Sequence, residues 1–342
     1  MKQVRSLGIF CLMTRILLIG GGGYVGAELQ RHLVSLGYTV RVYDTFWYSR
    51  GKWPRDHFHG YANLEYVTGD VRDVSLIKES LDEVDACVHL ACISNDPSYE
   101  LDPNLAYQIN FKAFENLVPI INSSSIKRFI FASSSSVYGV KKETNVTESL
   151  SLDPLTDYSR YKVECEKILL DNISPKIVST ILRPSTVCGY SRRQRFDLVV
   201  NILTLSALRD GIIYVDGGEQ FRPNLHMRDM LDSYSITLGA SPDLINREIF
   251  NVAGENLTVN EIALKVKAAV GPDVVIKHLP VKDERSYRIS GEKISKVLNF
   301  YPRFRVEDAI SDIKIAYLSG EYGDTSWNQY YNLKRMQELV SK

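Results

Sequence analysis

The stretch "RILLIGGGGYVG" restricts the fold of this chain more than any other. An apolar run at 15–19 breaks off into four glycines, and a helical pattern begins at Tyr24 and continues to about Leu36. A second apolar run, "TVRVYD" at 39–44, closes on an acid. The alternation then repeats. "LEYV" (64–67), "DACVHL" (85–90), "KRFIFA" (127–132) and "KIVSTILR" (176–183) read as strands, with helical patterns between most of them, notably at 103–121 and 157–171. Strands rich in β-branched residues that alternate with helices predict an α/β fold built on a doubly wound parallel sheet.

After Arg183 the rhythm changes. Proline, glycine and basic residues cluster through 184–195, and "IIYV" (212–215) and "VVIKHL" (274–279) stand as isolated strands, which predicts a smaller C-terminal substrate-binding lobe. "IFNVA" (249–253) reads as one more strand of the main sheet. The expected organisation is therefore a nucleotide-binding domain over 14–185 to which 223–253 returns, a lobe formed by 186–222 and 254–320, and terminal extensions at 1–13 and 321–342. The start "MKQVRSLGIFCLM" imitates a secretory signal, but its apolar run is short, Arg15 interrupts it and no small-residue cleavage site follows. It reads as a ragged extension, with Met13 a possible start. The last 22 residues are aromatic and polar with weak periodicity, and the sequence assigns them no function.

Bulk properties narrow the partners. The chain balances 41 basic against 41 acidic residues and has no long basic run, which argues against nucleic acid. No stretch approaches the roughly 18 apolar residues of a membrane span. Cys11, Cys87, Cys92, Cys165 and Cys188 are odd in number and scattered, as suits reduced thiols in a cytoplasmic protein. His57 and His59 lie close together without completing a ligand set, so no metal is expected.

Gly20, Gly23 and Gly26 have the spacing G-x-x-G-x-x-G between a strand and a helix. Glycines there permit a tight turn and let the backbone approach a pyrophosphate, whose charge the helix N-terminus stabilises. The strand before, the helix after and an acid ending the second strand are the context that a Rossmann dinucleotide site requires. Asp44, 21 residues past Gly23, is placed to accept from an adenosine ribose diol and would repel a 2′-phosphate, which favours NAD over NADP. Asp70 in "TGDVRD" either accepts from the adenine amino group or caps a helix over Val71–Ser80.

A nicotinamide site that oxidises an alcohol needs a base, and a tyrosine whose phenolate is favoured by a lysine one helical turn away supplies one. The chain holds four Y-x-x-x-K pairs: Tyr48–Lys52, Tyr138–Lys142, Tyr158–Lys162 and Tyr330–Lys334. The first spans Gly51 before Pro54, the second contains Gly139 at a strand end, and the fourth lies in the polar tail. These three are expected to be exposed surface residues. Only "DYSRYKVECEKILLDN" reads as the opening of a solid helix, which selects Tyr158 and Lys162.

In order along the chain, "GGGGYVG", "GDVRD", "VHLAC", "QIN", "FASSSSVYG", "YSRYK", "LRPSTVCG", "FRPNLHMRD" and "DERSYRIS" resemble the extended short-chain dehydrogenase/reductases, specifically the nucleotide-sugar epimerases and dehydratases. The resemblance runs from about residue 15 to 315. It implies a catalytic Ser134, Tyr158 and Lys162. It implies an NAD site formed by Gly20, Gly23, Tyr24, Val25, Gly26, Asp44, Asp70, Val71, Leu90, Ala91, Asn110, Ser133, Tyr158, Lys162 and Pro184. It implies a nucleotide-diphosphate sugar substrate that meets Ser134, Ser135, Ser136 and Thr186, with Arg222 and Arg285 on the diphosphate. Family members dimerise by packing two helices per subunit, for which 103–121 and 157–171 are the candidates.

Departures from the family pattern refine the expectation. The 4,6-dehydratases place Asp-Glu directly after the catalytic hydroxyl; Ser135 and Ser136 stand there instead, which disfavours dehydration. The asparagine common after "LR" is replaced around Thr186, and the lysine that some 4-epimerases carry after "HLA" is Ser94. The expected function is an NAD-dependent epimerase working through a transient 4-keto sugar. A 4-dehydrogenase that releases the keto-sugar, a carbonyl reductase of non-nucleotide substrates and a non-catalytic NAD-binding regulator are the alternatives. The aromatic loop at 45–61 reads as a solvated insertion.

Overall fold

Strand β1 (Arg15–Ile19) shows why the chain needs helices on two sides. Ile16 and Leu18 point to one face and Leu17 and Ile19 to the other, and all four are fully buried. Side chains alternate along a strand, so an apolar run with no polar phase must be covered twice. In the computed structural model, which describes residues 14–49, 62–94, 96–280 and 286–341, that is how the sheet is built. Ile16 and Leu18 pack with Leu29 and Leu33 of the helix Gly26–Ser35 and with Met230, Tyr234 and Leu238 of the helix Met227–Gly239. Leu17 and Ile19 pack with Ile77 of Val74–Ser80, Phe114 and Leu117 of Ala113–Ser123, and Leu169 of Asp157–Asn172. Each such aliphatic side chain contributes about 1.5–3 kcal/mol on burial.

The remaining large-sheet strands are β2 (Thr39–Asp44), β3 (Leu64–Thr68), β4 (Ala86–His89), β5 (Arg128–Ala132), β6 (Val178–Pro184) and β10 (Glu248–Val252). The sheet has seven strands in the order β3-β2-β1-β4-β5-β6-β10, all parallel. The order reverses between β1 and β4, and in such sheets the crevice beyond the strands' carboxyl ends at this switch point is where ligands bind. The sheet is keyed to the helix Met227–Gly239 by the buried Arg128. Its guanidinium donates to the carbonyls of Thr237 (2.8 Å), Leu238 and Ala240 (2.9 Å), satisfying the open end of that helix with a cation.

The lobe holds β7 (Thr186–Cys188), β9 (Phe221–His226) and β11 (Glu255–Thr258) in one small sheet, and β8 (Ile212–Asp216) parallel to β12 (Val275–Leu279) in another. Helices Val199–Asp210, Val259–Val270 and Val306–Leu318 share a core with them. Within 223–253, β10 and the helix Met227–Gly239 belong to the large sheet, whereas Pro223–His226 stay in the lobe's β9.

The end of the chain departs from the sequence expectation. Read as a terminal extension of weak periodicity, the residues from Glu321 fold back onto the body of the protein. Tyr322 and Tyr330 pack around the buried Phe196, and the helix Asn332–Val340 seats Met336 against Ile93 and Tyr99. Among the described residues Cys87, Cys92, Cys165 and Cys188 are free thiols, and no helix is long and apolar enough to cross a membrane.

Candidate active site

A cleft of about 650 Å³ opens at the carboxyl ends of the strands, between the sheet and the lobe. That volume falls in the range of small-molecule sites. Its floor is the glycine loop. Gly20 has φ +86°, and a Cβ there would lie 2.4 Å from the backbone nitrogen of Ala91; a Cβ on Gly26 would lie 2.6 Å from Gly21 Cα. Gly23 differs, because a Cβ would meet nothing closer than the Gly20 carbonyl at 3.4 Å. The protein itself demands glycine at 20 and 26, while at 23 the space left open faces the cleft, as it must where a backbone receives a diphosphate.

At the tip of β2, Asp44 accepts from Gly22 N (2.9 Å) through one carboxylate oxygen and from Phe46 N (2.7 Å) through the other. The Thr45 side chain bonds the same carboxylate, which leaves one lone pair for a ribose hydroxyl. Burial pushes this carboxyl above its ordinary range, against the pull of the two N–H donors and of Arg193. Asp70 does not cap the following helix; Asp73 does, accepting from Leu76 N at 3.0 Å. Asp70 instead takes the Arg72 guanidinium on both oxygens, at 2.9 and 2.7 Å, and its carboxyl is held low by that pairing although burial opposes it. The Tyr24 side chain turns away to the lobe, where its hydroxyl donates to the Gly189 carbonyl (2.7 Å) and accepts from Asn201 (3.1 Å).

The serine run ends β5 on the opposite wall. Ser134 caps the short turn Ser135–Tyr138, accepting from Ser136 N (3.1 Å) and from the Ser136 hydroxyl (2.9 Å). With both lone pairs engaged, its proton remains for an acceptor in the cleft. Ser133, expected to approach the cofactor, gives its hydroxyl to the buried Glu166, which also takes Arg183 Nε (2.9 Å) and Nη2 (2.5 Å). Arg183 continues to the Tyr138 hydroxyl (2.8 Å), and that hydroxyl donates to Asn251 (2.8 Å). Tyr138 is thus fully buried rather than exposed, and it braces the serine turn from behind. Tyr330 is also buried and Tyr48 lines the cleft, so none of the three rejected tyrosines is a surface residue. Tyr48 and Trp47, at the start of the aromatic loop read as a solvated insertion, are part of the cleft wall.

Tyr158 and Lys162 share a face of the helix Asp157–Asn172, whose start is fixed by reciprocal bonds between Thr156 and Ser159. Lys162 is 5% exposed; its Nζ donates to the Ala132 carbonyl at 2.6 Å and lies 5.9 Å from the Tyr158 ring centroid. Leu90, Ala91, Val71, Val25, Pro184, Ser135 and Thr186 line the same cleft, as does Arg222 on β9. Asn110 stands one layer back, in a π-helical turn, and pins the loop after β4 by bonding Ile93 N (2.8 Å) and Ile93 O (2.9 Å). Arg285, His57 and His59 lie outside the described residues.

Sequence reasoning missed a polar wall. Arg193, Arg195, Asp197 and Asn332 all line the cleft. Arg195 donates to Asp197 (2.9 Å) and to Ser94 (3.2 Å), and Asn332 donates to Ser94 (2.8 Å). The cluster "SRRQRFD" was a usable signal, since three arginines beside one acid within apolar surroundings need a purpose. Nothing in the tail pointed to Asn332.

Over residues 16–253 the chain matches the family model described as the NAD dependent epimerase/dehydratase family. It is 27% identical over 319 residues to a UDP-glucose 4-epimerase of Lactobacillus helveticus, covering 87% of this chain and 95% of the relative. Among solved structures, the UDP-glucuronic acid 4-epimerase from Bacillus cereus, in complex with UDP-glucuronic acid and NAD, superimposes with a TM-score of 0.79 at 23% identity, covering 89% of this chain and 100% of that one. A dTDP-glucose 4,6-dehydratase from Streptomyces venezuelae gives 0.79 at 22% identity, covering 90% and 98%. At these identities the two structures establish the fold alone.

Proposed function

The chain belongs to the NAD-dependent epimerase/dehydratase family, and from that premise we propose that it is a nucleotide-sugar epimerase that oxidises and re-reduces one sugar carbon, C4 in the reading favoured here. The observation that carries this is a single cleft that joins an open glycine cradle with Asp44 to Ser134, Tyr158 and Lys162. The residues present fit the dinucleotide. Gly23 leaves room for a diphosphate, Asp44 keeps a lone pair for a ribose hydroxyl, and Lys162 has two further N–H groups beyond its bond to Ala132.

Tyr158, as phenolate, takes the proton from the sugar hydroxyl, and the adjacent Lys162 ammonium favours that charge state. The Ser134 proton is donated to the same sugar oxygen as charge develops on it. When bound, NAD supplies the hydride acceptor and then the donor for the opposite face of the sugar. Tyr158 returns its proton in the second half, so the chain's own groups end unchanged. Ser135 and Ser136 flank the site with hydroxyls where elimination of water would need an acid and a base, which supports epimerisation over dehydration. Arg222 supplies positive charge on the lobe side for the nucleotide diphosphate, and Thr186 faces the sugar. We place the enzyme in the cytoplasm as a homodimer; the free thiols support the first and the family expectation the second.

The test is to incubate the full-length chain and NAD with UDP-glucose, UDP-galactose, UDP-glucuronic acid and their CDP and dTDP counterparts, and to resolve products by NMR. A 4-epimer without net NADH is the expected result. Accumulation of NADH and a free keto-sugar identifies a dehydrogenase and overturns the proposal.

A further inference from the structure

The segment Ser191–Asp197 lies over the glycine loop and is fixed there twice. Ser191 Oγ donates to the Tyr24 carbonyl at 2.7 Å, and Arg192 pairs with Glu28 of the helix Gly26–Ser35 at 2.8 Å. Between these anchors and Asp197, the two other arginines of the segment have different fates. Arg195 is neutralised by Asp197 at 2.9 Å. Arg193 is only 7% exposed, stacks on Tyr48 with Cζ 3.8 Å from the ring centroid, and donates through Nη2 to Asn332 Oδ1 at 2.5 Å. Its Nε and Nη1 are buried and have no acceptor among the described residues.

A buried guanidinium with two unmatched nitrogens, carrying three N–H groups, and no carboxylate on it is costly unless an anion completes it. Burial pushes its pKa down to about 10, so it is still charged at neutral pH. Its place in the cleft identifies the anion. Tyr48, on which Arg193 stacks, follows Asp44 by four residues, and Ser191 is bonded to Tyr24 of the glycine loop, which puts the guanidinium on the cofactor side, beside the loop whose Gly23 faces open space.

We propose that Arg193 binds the diphosphate of the dinucleotide through these N–H groups, and that Asn332, carried in by the C-terminal helix, is the residue that positions it. This rests on the cleft being an NAD site. The tail of the chain then completes the cofactor pocket: Asn332 reaches Arg193 with its carbonyl oxygen and Ser94 with its amide, while its own backbone N–H is held by Asp197 at 3.0 Å.

The test uses the full-length chain, freed of co-purified nucleotide, and calorimetric titration with NAD, ADP, adenosine and UDP, with a thermal melt of each variant. Arg193→Met is expected to bind NAD and ADP about 10- to 100-fold more weakly, as loss of charge-assisted hydrogen bonds predicts. Adenosine, which has no phosphate, and UDP, which probes the sugar-nucleotide side, should change by less than about twofold. Arg193→Lys should restore part of the ADP affinity, and Asn332→Ala should weaken NAD and ADP by roughly threefold, as a positioning role implies. Unchanged NAD and ADP affinity in Arg193→Met overturns the proposal, as does loss of UDP affinity with NAD retained, which would assign Arg193 to the substrate. If Arg193→Met does not fold, unchanged affinity in both Arg193→Lys and Asn332→Ala overturns it. A wild-type chain that binds neither NAD nor ADP refutes the cofactor site itself and this inference with it.

Discussion

Gly20 and Gly23 sit three residues apart in one loop and need their missing side chains for different reasons. At Gly20 the constraint is internal, since φ is +86° and Ala91 backbone would meet the Cβ at 2.4 Å. Gly20→Ala should therefore lower stability by about 1–3 kcal/mol, read by chemical denaturation. At Gly23 the constraint belongs to the ligand. Gly23→Ala should leave stability within about 1 kcal/mol of wild type yet weaken NAD at least about tenfold by titration. Equal damage from both would show that the loop is only a structural turn. Tyr158→Phe keeps the ring and removes the proton carrier. Its kcat should fall by roughly 10²- to 10⁴-fold with NAD affinity unchanged, and a smaller loss would move the base elsewhere. These residues were legible because each answers a local demand: a turn, a strand end, one face of a helix. The bond from Ser133 to Glu166 was not, because the two are 33 residues apart.

At the scale of elements, what holds the serine turn is a buried chain of polar groups joining β5, β6, β10 and the helix Asp157–Asn172. Glu166 and Arg183 expose 4% and 3% of their side chains and are paired with each other. Removing one partner strands the other in low dielectric, which is far more harmful than never having buried either. Glu166→Gln should cost about 3–5 kcal/mol in denaturant unfolding, while an effect below about 1 kcal/mol would mean that Arg183 finds water instead. The seven strands of the large sheet were readable from apolar runs, with bounds within two residues of the expected ones, as at β4 (Ala86–His89 against 85–90), whereas β7, β9 and β11 of the lobe were not read. The helix cap at Asp73 was not readable, because Asp70 and Asp73 are equally good capping residues in sequence. The choice was made when Arg72 took Asp70 on both oxygens.

For the whole molecule, the two-sided burial of the sheet has a consequence in pH. His89, at the end of β4, is 4% exposed and meets Phe114 edge-on at 5.2 Å. Burial, reinforced by the Lys162 charge, lowers its pKa from 6.5 to about 3. Above about pH 6.5 the ring is neutral in both folded and unfolded chains and adds no pH dependence. Between about 6.5 and about 3 the unfolded chain binds a proton that the folded one refuses, so stability falls by up to about 1.4 kcal/mol per pH unit on acidification. Unfolding free energies measured from pH 7 to 4 should show this slope, and His89→Leu should flatten it. A slope unchanged by the substitution would place its origin in other groups.

Local sequence determined the parallel sheet, the glycine cradle with its acid, and the Tyr158–Lys162 pair, because periodicity, turn chemistry and helical spacing act within a few residues. Only the tertiary structure decided which buried charges are matched and which are not. Arg193, Arg195, Asp197 and Asn332 meet across 139 residues between the first and last of them. Their roles follow from burial and from who stands opposite, and no short stretch of sequence encodes either.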